Sequence, residues 1–326
     1  MKAIRIEKTG GPGEMRLVDV ATPQPGAGEA LVRHHVIGVN FIDTYHRSGL
    51  YPMQLPSGIG VEAAGVVEAV GEGVTHVAPG DRVVYFAATP GSYATHRVLD
   101  AKWLVKLPDD LSDEIAAAMW LKACTVEFLV ERCARVQPGD TVLVPAAAGG
   151  VGILLTQWLK SAGATVIGTT STPEKAEIAR AAGCDHVLNY ADAPKAVRDL
   201  TGGKGVDCSI DGVGQDTFES SLDSLKMRGL HISFGNASGP VSAFNLGILA
   251  GKGSLFVTRP TLFHYYATPA DFAAGTGAVF EKLRAGVLNA HIGQRFALAD
   301  AVAAHKALEA RATTGSTLLI PQDVNP

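Results

Sequence analysis

The sequence predicts an α/β protein in which a doubly wound parallel sheet is inserted into a largely antiparallel β-barrel. Three observations carry this prediction. The first third of the chain is a series of short apolar or alternating runs punctuated by Gly, Pro and Asp. Beyond Ser112 the apolar spacing lengthens toward the helical period, and after Asp140 strands and helices alternate. The C-terminal stretch then holds two helical patterns and a terminal strand, too little for a domain of its own, and is expected to fold back onto the barrel.

In the first third, residues 1–6, 30–39, 61–70 and 82–86 read as strands. Turns such as Pro79-Gly80-Asp81 and Pro90-Gly91-Ser92 follow at short intervals, as in a compact barrel. Residues 141–147 (TVLVPAA) form a fully buried parallel strand, after which Val151, Leu154, Leu155, Trp158 and Leu159 recur at helical spacing. The next strand covers 165–169. Thr172-Pro173 then opens a helix with a capping hydroxyl and a proline at its first position, and Gly183 closes it. Further strands fall at 186–188, 206–210, 230–234 and 255–258, and at least five parallel strands with crossovers make a doubly wound sheet. Helical patterns over 271–285 and 299–310 precede a strand over 316–320. The expected division is a barrel domain of residues 1–123 plus 266–326 around a nucleotide-binding domain of residues 124–265.

Composition narrows the function. The 326 residues are 47% hydrophobic, ample for two cores, and 28 Lys+Arg against 32 Asp+Glu leave a net charge of −4. No basic run or aromatic-basic cluster marks a nucleic-acid surface, so nucleic acid is a poor candidate partner. No stretch approaches the ~18 apolar residues of a membrane span, and the N-terminal sequence lacks the apolar core of a signal peptide. Cys124, Cys133, Cys184 and Cys208 are scattered without a CxxC pair, as befits reduced thiols. A soluble cytoplasmic protein is expected.

The most informative segment is Ala147-Ala148-Gly149-Gly150-Val151-Gly152, between a buried strand and an amphipathic helix. Its pattern is AxGxxG, with Ala147 at the first glycine position of the dinucleotide fingerprint. Gly149 still admits a close pyrophosphate and Gly152 permits tight helix packing, while the helix N-terminus aims its N–H groups at the anion. The end of the next strand discriminates NAD from NADP, because a carboxylate there grips the ribose 2′-hydroxyl and repels a 2′-phosphate. Here it reads Gly168-Thr169-Thr170-Ser171-Thr172-Pro173-Glu174-Lys175, hydroxyls followed by a lysine one turn into the helix. Glu174 lies at an early helical position, where it complements the helix dipole. The pattern predicts NADPH.

Several further segments carry a family resemblance: Asn40-Phe41-Ile42-Asp43-Thr44-Tyr45, Arg47-Ser48-Gly49-Leu50-Tyr51-Pro52, Gly60-Val61-Glu62-Ala63-Ala64-Gly65, Gly80-Asp81-Arg82-Val83, Ser233-Phe234-Gly235-Asn236 and Val257-Thr258-Arg259-Pro260. With AAAGGVG and the returning C-terminus, they resemble the zinc-free quinone oxidoreductases of the medium-chain dehydrogenase/reductase superfamily, over nearly the whole chain. The resemblance implies a Rossmann domain inserted into a GroES-like catalytic domain. The zinc alcohol dehydrogenases of the superfamily hold their catalytic metal at positions matching Asn40, Val61 and Leu121. None of these residues offers the thiolate or imidazole that zinc prefers, so no metal is expected.

By the same resemblance, Asn40 and Tyr45 lie near the nicotinamide and Tyr51 lines the acceptor pocket, which makes these three the catalytic candidates. Gly149, Gly150 and Val151 face the pyrophosphate, and Ser171, Lys175 and Tyr190 surround the 2′-phosphate. Thr125, Gly214, Phe234, Gly235 and Val257 line the nicotinamide side, and Arg311 reaches a phosphate or amide. Asp43 and Glu62 are expected to be structural, partnered carboxylates. The histidines, among them His34-His35, His186, His231, His264 and His305, form no metal-like spacing.

The implied activity is zinc-independent reduction of a quinone by NADPH. A conjugated enone or enal is the alternative acceptor, and a crystallin-like or RNA-binding protein that merely holds NADPH is a third reading. The strand over 254–258, which opens on Ser254 and closes on Thr258, falls last in the sheet. Such edges invite pairing, so a homodimer by strand addition is expected.

Overall fold

The computed structural model describes residues 1–321. In chain order its strands and helices begin with β1 (Lys2–Ile6), β2 (Arg16–Asp19), β3 (Glu29–Val39), α1 (Phe41–Ser48), β4 (Ser57–Gly58), β5 (Glu62–Val70), β6 (Arg82–Phe86), β7 (His96–Asp100), β8 (Val105–Lys106) and α2 (Asp113–Glu127). The central part holds β9 (Thr141–Val144), α3 (Gly150–Ser161), β10 (Thr165–Thr170), α4 (Pro173–Ala181), β11 (His186–Asn189), α5 (Ala193–Leu200), β12 (Val206–Asp211), α6 (Phe218–Ser224), β13 (Leu225–Ser233), α7 (Gly247–Gly251), β14 (Phe256–Thr258), α8 (Leu262–Tyr265) and α9 (Pro269–Arg284). The chain closes with β15 (Ile292–Ala297), α10 (Ala301–Glu309) and β16 (Ser316–Ile320). It divides into two compact units, Met1–Leu121 with the chain from Ala290 onward, and Lys122–Asn289.

In the first unit the order β15-β16-β3-β5-β6-β8 forms the main sheet, with β7 also paired to β3, and β2-β1-β4 forms a smaller one. Every pairing is antiparallel except β15 with β16. The returning C-terminus enters this sheet directly, with Leu318 opposite Gly38 and Leu319 opposite Ile37. Ile4, Ile37, Val83, Tyr85 and Leu319 are among its buried core residues. Each aliphatic side chain so buried contributes about 1.5–3 kcal/mol relative to exposure.

In the second unit six parallel strands take the order β11-β10-β9-β12-β13-β14. Counted along the unit this is 3-2-1-4-5-6, the doubly wound dinucleotide-binding order. Leu143, Ile167, Val206 and Leu222 anchor its core. Among the described residues no helix is long and apolar enough to cross a membrane.

The structure departs from the sequence reading in several places. The strand expected over 141–147 ends at Val144, because Ala146 turns into the left-handed region at φ 55° and redirects the chain. Helix α1 and strand β15 were not anticipated; α1 is a short amphipathic helix enclosed in strand-rich sequence.

The helix expected over 271–285 clusters with the nucleotide unit, as does the whole stretch 266–289 that the sequence division assigned to the barrel. Side chains explain this. The Tyr266 hydroxyl donates to Glu127 Oε2 at 2.8 Å, and Arg132 donates to the Tyr265 carbonyl at 2.6 Å. Lys282 Nζ donates to Ser161 Oγ at 2.9 Å, and Asn289 N donates to Gln157 Oε1 at 3.0 Å. Gly275 lies so close to the Tyr266 ring that a Cβ there would sit 2.4 Å from it. Only after Asn289 does the chain rejoin the barrel.

Candidate active site

In the nucleotide unit the candidate residues gather at the carboxyl ends of the parallel strands. Helix α3 begins at Gly150 with Gly149 as its N-cap, so free N–H groups point outward from the turn. A Cβ on Gly152 would lie 2.4 Å from the Ala146 carbonyl oxygen and 2.8 Å from Ala147 Cα, which fixes glycine at the third fingerprint position. Ala147 at the first position is accommodated by its neighbour strand. A Cβ on Gly168 of β10 would lie 2.7 Å from the Ala147 methyl, so the side chain that the fingerprint's first position lacks is here lacking on the neighbouring strand instead.

Thr170 and Asn189 are register partners at the ends of β10 and β11, and Ser171 and Tyr190 therefore leave the sheet side by side. Lys175 lies one turn into α4, its backbone N–H donating to the Thr172 cap at 3.3 Å. Glu174 belongs to the helix start. Its own backbone N–H and then the Thr172 hydroxyl hold its carboxyl below the usual carboxylate range.

Gly214, Phe234 and Gly235 belong to two loops that close on each other. A Cβ on Gly235 would meet the Gly212 oxygen at 2.3 Å, and one on Gly214 would meet the Gly239 oxygen at 2.5 Å. Asp211, fully buried, ties the first loop together: its carboxylate accepts from Val213 N (2.7 Å), Thr217 Oγ1 (2.6 Å) and Ser221 Oγ (3.1 Å). This residue escaped the sequence reading although Ile210-Asp211-Gly212 at a strand end is a visible signal. Val257 lies within β14 and Thr125 within α2, apart from these strand-end loops. The backbone accommodates a pyrophosphate at α3 and leaves no carboxylate at the end of β10, so the residues present fit a phosphorylated dinucleotide.

In the barrel unit Asn40 and Asp43 form a capping box that starts α1, with Asn40 N donating to Asp43 Oδ2 at 2.9 Å. Asn40 Nδ2 donates to Glu62 Oε2 at 2.8 Å, and Leu121 N donates to Glu62 Oε1 at 2.5 Å. Gly38 makes room for this carboxylate, since a Cβ there would lie 2.3 Å from Glu62 Oε2. Tyr45 and Tyr51 meet edge to face at 5.2 Å, and Tyr51 N donates to the Tyr45 carbonyl at 3.1 Å, so these two candidates are brought together. Asn40 lies at the opposite end of the same helix turn, its amide held between Glu62 and the helix start. Arg311 follows α10 in the exposed turn, at φ 56°.

Zinc does not fit this donor set. Asn40, Val61 and Leu121 offer an amide and two aliphatic side chains, and Glu62 is committed to two hydrogen bonds. Among the described residues no three His, Cys, Asp or Glu side chains cluster as metal ligands would.

Comparison with known proteins places the whole chain. The alcohol dehydrogenase GroES-like domain matches residues 26–109, and the zinc-binding dehydrogenase family matches residues 150–271. A quinone oxidoreductase of Pseudomonas aeruginosa is 48% identical, covering 98% of this chain and 99% of its own. A 2-haloacrylate reductase of a Burkholderia species is 44% identical, covering 97% and 98%. The crystal structure of Escherichia coli quinone oxidoreductase complexed with NADPH superposes with a TM-score of 0.96 at 45% identity, over 98% of this chain and 100% of that one. By sequence along its full length and by fold in both units, the chain belongs to the quinone oxidoreductase family of the medium-chain dehydrogenase/reductase superfamily.

Proposed function

We propose that the protein is an NADPH:quinone oxidoreductase that works without zinc. The observation that carries this reading is the end of β10, where hydroxyls and Lys175 stand in place of an acidic residue, in a chain about half identical to quinone oxidoreductases throughout. Bound NADPH supplies the hydride equivalent.

The protein's own residues bind and orient. The α3 N-terminus takes the pyrophosphate at Gly149, Gly150 and Val151. Ser171, Lys175 and Tyr190 take the 2′-phosphate, and Thr125, Gly214, Phe234, Gly235 and Val257 flank the nicotinamide, with Arg311 reaching the cofactor from the returning chain. Tyr45 donates to the oxygen that gains charge on the acceptor, and Tyr51 offers an aromatic face to its ring. Asn40 is held by Glu62 and Asp43 in an orientation that suits positioning rather than proton transfer. A quinone suits such a site because its reduced oxygen is already stabilised by the aromatic ring and needs no Lewis acid.

The 44% identical 2-haloacrylate reductase favours a second reading, reduction of a conjugated alkene, in which Tyr45 or water would protonate the carbon next to the carbonyl. Steady-state NADPH oxidation with 1,4-benzoquinone, a conjugated enone and 2-chloroacrylate decides between them. Turnover confined to the alkenes overturns the quinone reading, and loss of activity on chelation, restored by zinc, overturns the metal-free one.

The homodimer is proposed on the edge strand β14, which among the described residues pairs only with β13 and leaves Phe256 exposed, alongside exposed Met227 on β13. A solution mass near the 33.9 kDa of one chain would remove it. The four cysteines are all free, in keeping with a reducing compartment such as the cytoplasm.

A further inference from the structure

A chain of buried polar groups runs from the returning C-terminal helix to the first turn of α1. Arg47 is 1% exposed, and its guanidinium pairs with Glu309 of α10, with Nη1 donating to Oε2 at 3.2 Å. The same Nη1 lies 3.0 Å from His305 Nδ1. A guanidinium only donates, so His305 Nδ1 must accept and the imidazole proton must sit on Nε2. Nε2 lies 3.0 Å from the Tyr93 oxygen, and the Tyr93 hydroxyl in turn donates to Asp43 Oδ2 at 2.9 Å. That oxygen also receives the Asn40 N–H at the start of α1.

Every link therefore has one permitted direction: Arg47 to His305, His305 to Tyr93, Tyr93 to Asp43. Burial first and the Arg47 charge second push the His305 imidazole down to about 3, which keeps it in the neutral form the chain requires. The partners are far apart in sequence, and a fully buried Arg with an exposed carboxylate partner is an expensive way to fill space. Hydrophobic packing alone would not need this order.

We propose that Tyr93 and His305 are positioning residues for the reaction: through Asp43 they set the orientation of the α1 start, and with it Asn40 and Tyr45. The link to the reaction rests on the quinone reductase reading, whereas the orientation of α1 can be measured without it.

The test compares His305→Gln, His305→Asn and His305→Ala with Tyr93→Phe in the full chain. A glutamine Nε2 can reach the imidazole Nε2 position and donate to Tyr93, whereas asparagine cannot. The expected result is that kcat/KM for 1,4-benzoquinone falls about tenfold in His305→Asn, His305→Ala and Tyr93→Phe but stays within about threefold in His305→Gln, with NADPH Kd unchanged throughout. Amide hydrogen exchange should speed up at residues 40–45 in the first three variants and not in the glutamine variant. Equal losses in all His305 variants, tracking Tm alone, overturn the proposal, as does a ¹⁵N spectrum placing the His305 proton on Nδ1. If the wild type reduces no quinone, the function reading fails, and the exchange pattern still decides whether the chain orients α1.

Discussion

The two units build their candidate residues into place by different means. At the strand ends of the nucleotide unit, position is set by backbone: Gly152, Gly214 and Gly235 each approach another chain segment so closely that one added carbon would collide. In the barrel, position is set by side chains that meet across the fold. Glu62 joins Asn40 to Leu121, and Asp43, Tyr93, His305 and Arg47 join α1 to α10. In the sheet of the nucleotide unit Ser209 and His231, register partners on β12 and β13, are buried with Ser209 Oγ and both ring nitrogens of His231 lacking hydrogen bonds to protein. The barrel histidines His34 and His305 are equally buried but hydrogen-bonded at both nitrogens.

The comparison breaks most sharply at Glu62. Glu62→Ala removes the carboxylate that accepts from the Leu121 N–H and is the shorter-range acceptor of Asn40 Nδ2, and should cost about 3–5 kcal/mol of stability in urea titration. An effect below about 1 kcal/mol would show that the carboxylate is dispensable and the side-chain design a misreading.

On the backbone side, Gly152→Ala places a Cβ against the Ala146 oxygen and should weaken NADPH binding about a hundredfold, or about 2.7 kcal/mol, by fluorescence titration. Barrel circular dichroism and quinone affinity should change little. Undiminished NADPH affinity would mean that the turn at Ala146 relaxes freely.

Acid should act on buried imidazoles in both units: burial lowers His231 in the nucleotide unit, and the larger shifts are those of His34 and His305 in the barrel. Burial first, with neighbouring Arg97 for His34 and Arg47 for His305 adding to it, pushes both imidazoles down to about 3. Both stay neutral in the fold and take up a proton only on unfolding. Their contribution is therefore complete above about pH 6.5 and is lost as the pH falls toward 3, at about 1.4 kcal/mol per pH unit for each. Urea midpoints between pH 7 and pH 5 measure the slope, and a flat profile in that range would contradict the burial of these two rings.

The smallest effect sharpens cofactor choice. Lys175→Ala should weaken NADPH binding about tenfold and leave NADH within about twofold, since only one nucleotide carries the 2′-phosphate. Equal losses for both would place Lys175 elsewhere on the cofactor.

How much of this was legible beforehand follows the same division. The AxGxxG turn, the hydroxyl-rich end of β10 and the strand alternation are contiguous, and local sequence rules read them directly. Gly168 explains why Ala147 is tolerated, yet only strand pairing brings the two together. Asp211 left a local signal that was passed over. Tyr93 and His305 left none: an aromatic in a turn and a histidine in an amphipathic helix look ordinary until β16 pairs with β3 and draws the C-terminal helix back. The placement of 266–289 was illegible for a like reason, because Tyr266 and Glu127 find each other only in the folded unit.

The order of residues alone carries the doubly wound sheet, the glycine turn that opens α3, the lack of zinc-binding side chains at the positions where such enzymes hold metal, and the family. These depend on periodicity and on contacts between near neighbours, which the order of residues encodes. The tertiary structure alone decided which unit owns helix α9 and how the barrel side chains are oriented. A hydrogen bond between residues 43 and 93, or 47 and 305, exists only when the chain has closed loops whose ends share no local pattern.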